Sequence, residues 1–213
     1  MSTLRNAWGR AAFLLTALLI LGLSAGARAE SVATVIRIQG EAQASDQSGS
    51  RPLAIGDPVQ RGDRLTTGIR SRLEIHFRDG MELVLSDGAA MTVSAFEWAP
   101  ASSAGKAELT LAEGAFLLQT GAVGKLPDHP LTVKTPLASV GVRGTRFWGG
   151  PMDAPFNLLL IEGKVVVSTP AGSVDLTESG QGTMISGGGE KPQPPSYWGE
   201  ERIRRAFATV SFE

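Results

Sequence analysis

The sequence predicts an all-β protein: a twisted β-solenoid-like or sandwich-like domain of many short strands, with a short C-terminal helix. Three observations carry this. Apolar and polar residues alternate at period two, Gly and Asp-Gly turns punctuate the runs, and residues 30–190 show no convincing helical stripe. The clearest run is 72–78 (RLEIHFR), where Leu73, Ile75 and Phe77 fall on one face and Arg72, Glu74, His76 and Arg78 on the other. A strand collects such residues on one side, whereas a helix would scatter them around its circumference.

Before this domain comes a different segment. Arg5 and Arg10 precede an apolar run at 11–23 (AAFLLTALLILGL), and Ala27-Arg28-Ala29 precedes Glu30. A basic start, a short apolar core and an A-x-A end make a secretory signal over residues 1–29. The run is shorter than the ~20 residues of a permanent membrane helix. The expectation is cleavage and a periplasmic or secreted protein with no membrane span afterwards; the alternative is an uncleaved anchor.

Strands and loops then follow in order. Residues 43–52 are polar and rich in Gly and Ser, and read as a loop. After the 72–78 strand, Asp79-Gly80 supplies a tight turn and Met81, Leu83 and Leu85 resume the apolar face. The same unit recurs as Leu109–Glu113 with Gly114 before Phe116–Leu118, and as Leu158–Glu162 with Gly163 before Val165–Val167. A weaker copy runs from Val174 to Ile185. Irregular spacing excludes a strict short-period repeat and suggests stacked strand–turn–strand units. Segments 99–106, 121–130 and 149–155 read as loops. The domain is expected over 30–188, followed by a Gly/Pro linker and helical tail over 189–213. In that tail Ser196 reads as a cap, and Ile203, Phe207 and Val210 share one helical face. The tail either docks on its own domain or tethers a partner.

Composition narrows the function. The chain has 20 Lys and Arg against 21 Asp and Glu; the first 29 residues hold three of the arginines and no acid, so the remainder is net acidic. That argues against a nucleic-acid partner, which would need a basic face. The chain has no cysteine, so neither disulfides nor a thiolate are available.

Several motifs fall in a definite order. Gly56-Asp57 and Gly62-Asp63-Arg64-Leu65-Thr66-Thr67-Gly68 come first, then Leu73-x-Ile75-x-Phe77-x-Asp79-Gly80-x-x-Leu83-x-Leu85 and Leu111-x-x-Gly114. Val133-Lys134-Thr135-Pro136-x-Ala138-x-Val140-x-Val142-Arg143-Gly144-Thr145-x-Phe147 and Ile161-Glu162-Gly163-x-Val165-x-Val167 complete the set. Over about residues 32–186 this pattern resembles the FecR domain family. The resemblance implies an all-β, extracytoplasmic, non-enzymatic module. The best-known members join a cytoplasmic anti-sigma segment and a membrane helix to a periplasmic part that hears an outer-membrane transporter. Here about ten residues precede the apolar segment, so the resemblance implies the sensing or interaction half, without direct sigma-factor control.

The candidate binding residues are Arg143, Arg146, Trp148 and Trp98. Arg143 offers donors that either pin a strand end through backbone carbonyls or, with Arg146, hold an anionic group on a partner or glycan. Gly141 and Gly144 allow a bulge or close backbone approach. Trp148 follows Phe147 and should point outward, as a surface aromatic or a packed one. Trp198, Ile203 and Phe207 are the tail candidates, and Tyr197 is a further exposed-aromatic candidate. His76 and His129 read as solvated residues, and Asp57, Asp63, Asp79 and Asp87, each beside a glycine, as turn residues. No metal or cofactor site and no catalytic constellation emerges. The expectation is a non-enzymatic sensing, interaction or scaffolding module with an envelope protein partner; the alternative is a glycan or cell-wall binder.

Overall fold

The computed structural model describes residues 30–128 and 130–213; the expected secretory signal and His129 lie outside them. Sixteen strands and one α-helix are found among the described residues. The strands are β1 (Ser31–Gln39), β2 (Ala42–Asp46), β3 (Gly49–Pro52), β4 (Pro58–Gln60), β5 (Arg64–Thr67), β6 (Arg72–Phe77), β7 (Glu82–Leu85) and β8 (Ala90–Ala99). They continue with β9 (Ala104–Glu113), β10 (Phe116–Gln119), β11 (Leu131–Lys134), β12 (Ser139–Gly150), β13 (Phe156–Thr169), β14 (Gly172–Leu176), β15 (Gln181–Ile185) and β16 (Ser196–Tyr197). The helix α1 is Glu200–Val210. None of the described helices is long and apolar enough to cross a membrane.

The strands form one curled sheet in the order β3-β2-β5-β8-β9-β11-β12-β10-β7-β6-β1-β4, with β13 beside β12, β14 and β15 beside β13, and β16 beside β15. All the pairs are antiparallel except β9 with β11. The alternation seen in the sequence is the burial pattern: Leu73, Ile75 and Phe77 of β6 and Leu83 and Leu85 of β7 are buried in the concave interior. Asp79-Gly80 joins β6 to β7 as an antiparallel hairpin.

The recurring units differ from expectation in how they pair. β9 pairs with β8 and β11, and β10 with β7 and β12, so Gly114 joins strands that are not neighbours. Residues 158–167 are one continuous strand, β13, in which Gly163 lies opposite a bulge at Gly144 and Thr145 of β12. The 43–52 stretch is the β2–β3 hairpin rather than a loop. Gln43 and Ser50 bond across it through their side chains at 2.9 Å, which shows why a polar sequence pairs here.

The spine of the molecule is the long β12–β13 hairpin. Val140, Val142 and Phe147 of β12 all face the interior, although Val142 and Phe147 are five residues apart. Strict alternation would place them on opposite faces. The register shift between Arg143 and Phe147 restores the parity, and β13 shifts at the same place, so Leu160 and Val165 also face inward together.

A second apolar cluster lies on the outer face. Ala115, Trp148 and Leu159 from the sheet meet Trp198, Ala206 and Val210 from the tail, with Ile203 and Phe207 packed alongside. The helical face read from the sequence is therefore the docked face. The cap is not Ser196, which pairs in β16; the helix starts at Glu200 after Gly199, with no side-chain cap. Nor is the segment before it a free linker, since Gln193 N–H donates to the Met184 carbonyl at 3.0 Å and Pro192 is buried.

Candidate functional site

The most distinctive motif, Arg143-Gly144-Thr145, forms the bulge, and Glu162-Gly163 lies directly against it. Gly163 has φ +85°, and a β-carbon there would overlap the Gly144 carbonyl oxygen. Glycine is required on both counts. Thr145 is buried and holds the two strands together: its hydroxyl lies 2.9 Å from the Arg143 carbonyl and 2.8 Å from that of Lys164. Its N–H donates to the Thr120 hydroxyl at 2.8 Å. The chemistry of Gly144 and Thr145 in this motif is structural, and the bulge divides the outer face of the hairpin into two halves.

One half carries Trp148, Leu159 and Ile161 and is covered by α1. The other carries Gly141, Arg143, Lys164 and Val166 and is bare. Arg143 and Lys164 are directly opposite each other in register, both exposed, and neither forms an ion pair among the described residues. Here the expectation for Arg143 is corrected. Its guanidinium bonds no backbone carbonyl among the described residues; the Thr145 hydroxyl does the pinning instead. With Val142, Val165, Asp175, Leu176 and Thr177, the bare half forms a groove of about 280 Å³.

Arg146 faces outward beyond the bulge, between Gln119 and Glu162 in register, and its buried Nε has no hydrogen-bond partner. It lines a separate small cavity with Lys125 and Thr120, so the two arginines border different spaces. Trp148 does point outward, as its position after Phe147 predicts, but it is fully buried beneath α1 and its indole N–H donates to the Thr209 hydroxyl at 2.9 Å. It is thus not a surface aromatic. Trp98 is half-buried against the inner core and borders a shallow groove with Glu30, Arg78 and Glu97, away from Trp148.

The tail candidates face the domain itself. Trp198 is buried beside Trp148, with ring centroids 6.1 Å apart, and the Arg202 guanidinium stacks over it at 4.0 Å. Arg202 also donates to Asn157 at 2.9 Å. Tyr197 is exposed, and the hydrogen bond from its hydroxyl to Glu178 pushes its pKa up. Of the acidic turn residues, Asp57, Asp63 and Asp79 are fastened to backbone, while Asp87 pairs with the Arg72 guanidinium at 3.3 Å. Asp79 accepts from Met81 N–H and Val123 N–H, both at 3.0 Å, and Asp63 accepts from Gln60 N–H at 2.9 Å and Arg51 at 2.6 Å. His76 is 3.0 Å from Glu74 on the outer face of β6.

Sequence reasoning missed Lys164, Val166 and Asp175 as neighbours of Arg143, because the pairing of β12 with β13 and β14 brings them together. A signal was present in Val140-Gly141-Val142, where the outward position between two core valines holds glycine without a turn.

Residues 63–166 match the family model described as FecR protein. This span begins at the buried Asp63 and ends at Val166 on the bare face. Two crystal structures of a "putative anti-sigma factor" from Parabacteroides distasonis, at 1.65 and 2.50 Å resolution, are similar in fold. The similarity reaches TM-scores of 0.50 and 0.53 at 16% and 15% identity, over 66% of this chain. It spans 62% of the length of those chains. None of the curated proteins matches this chain. The matched span holds the glycine bulge and most of the ordered motifs, so residues 63–166 of this chain carry a FecR domain.

Proposed function

We propose that the protein is a non-enzymatic sensing or interaction module of the cell envelope, exported to the periplasm or beyond, whose partner is another protein. The FecR match over residues 63–166 is the observation that carries this reading. The family is regulatory rather than catalytic in character, and the two structural neighbours are each described as a "putative anti-sigma factor", a role exercised through protein contacts. The local chemistry agrees. Asp63, Asp79 and Thr145 are engaged with backbone groups and hold turns and strands rather than a substrate. The 1–29 segment supports export.

Crosslinking and capture from an envelope fraction test this: a discrete protein partner is expected, and retention on cell-wall glycans with no protein partner would contradict it. The glycan reading keeps one supporting observation, the half-buried Trp98 beside the groove at Glu30 and Arg78. On that reading Trp98→Ala abolishes glycan retention; on ours it leaves partner capture unchanged. N-terminal sequencing of the protein recovered from cells checks export. A mature start at Glu30 is expected, and a start at Met1 or Ser2 would favour the anchored form.

A further inference from the structure

We infer that the bare half of the β12–β13 outer face is a docking trough for an extended segment of a protein partner that presents a carboxylate beside an aliphatic side chain. The inference deepens the interaction-module reading and rests on it. Its first support is Gly141. This residue lies in a regular stretch of β12, its φ is outside the left-handed region, and the nearest atom to a β-carbon placed there is the Val166 carbonyl oxygen, 3.9 Å away. Neither backbone conformation nor packing calls for glycine, and glycine weakens a strand. What its missing side chain does is leave the floor of the groove open.

The second support is the charge arrangement. Arg143 and Lys164 face each other across the strands, and like charges directly opposite destabilise a sheet. No acid pairs with either among the described residues. A carboxylate placed between them would relieve the repulsion and gain charge-assisted hydrogen bonds. Beside them Val166 is 43% exposed and supplies an apolar wall over the Gly141 floor. Asp175, opposite Val166 in register, limits the anion to the Arg143 end.

The third support is the neighbouring edge. β14 pairs only with β13 among the described strands, so its outer backbone groups remain open to an extended chain. Two cations with Asp175 beside them suit one carboxylate and not a polyanion.

The test is an NMR titration of the purified protein with acetyl-Leu-Glu-Val-amide, with acetyl-Leu-Gln-Val-amide, acetyl-Leu-Lys-Val-amide and glucuronate as comparisons. Saturable shifts are expected at residues 141–143, 164–166 and 175–177, weakened roughly tenfold when Gln replaces Glu. Gly141→Val should keep the thermal midpoint of the parent and lose binding by at least roughly tenfold, because it fills the floor without touching the core. The double variant Arg143→Glu, Lys164→Glu should bind the Lys peptide in preference to the Glu peptide. No saturable shift in the trough up to about 10 mM peptide, equal binding of the Glu and Gln peptides, unimpaired binding by folded Gly141→Val, or trough shifts from glucuronate alone would each overturn the inference. Failure is separable from failure of the broader reading. If Gly141→Val still captures the partner that the parent captures, the trough is wrong and the interaction module stands; if the parent captures no protein, the module reading fails.

Discussion

Thr145 fastens the β12–β13 bulge with a single hydroxyl, bonded to carbonyls on both strands. Thr145→Val keeps the shape and removes those bonds, leaving the part-buried Arg143 and Lys164 carbonyls without the hydroxyl proton they share. A loss of about 1–3 kcal/mol is expected in denaturant unfolding. Asp79 performs a comparable task at the β6–β7 corner, where its carboxylate holds Met81 and Val123 N–H groups. Asp79→Ala orphans both donors and should cost roughly 2–4 kcal/mol, with Asp79→Asn losing less because one amide oxygen can still accept. Equal stability of Asp79→Ala and the parent would mean that the corner is held by its backbone alone. Asp57, Asp63 and Asp79 were legible as turn residues from local sequence, because each accepts from a backbone N–H two or three positions away. The partner of Asp79 at Val123 was not, since that contact joins segments 44 residues apart.

At the scale of elements, the docked tail decides what the outer face presents. Ala206 is fully buried at the helix–sheet contact and Thr209 accepts from the Trp148 indole. Ala206→Asp places an unpaired charge there and should release α1. Tryptophan emission is then expected to move to longer wavelength as Trp148 and Trp198 meet water, with a lower thermal midpoint and retained β-sheet circular dichroism. Unchanged emission would show that the helix stays seated. The amphipathic stripe of Ile203, Phe207 and Val210 announced this helix, but the stripe could not say which surface it covers. The strands were legible where one face is buried, as in β6 and β7. Legibility failed at β13, where Gly163 reads as a turn: the sequence shows a glycine with a special backbone role, and only the facing Gly144 reveals a bulge that lets the strand continue.

Across the whole molecule, the ordered motifs reported the family correctly because they are the residues that build its turns and bulges. For the same reason they say little about the partner. Thr145, Asp63, Asp79 and Gly163 are spent on the fold, and the candidate surface consists of residues that the fold does not need: Gly141, Arg143, Lys164 and Val166. Trp148, read as a possible surface aromatic, belongs instead to the covered half of the same face. Gly144 and Thr145 of the motif thus serve the fold, and the proposed recognition falls to Arg143 and the bare face beside them. A photo-crosslinking residue placed at Val166, in cells that make the protein, tests this most directly. The expected result is a discrete protein adduct that disappears when Gly141→Val fills the trough. A protein adduct that persists with Gly141→Val, or one formed from Trp98 and not from Val166, would contradict the account.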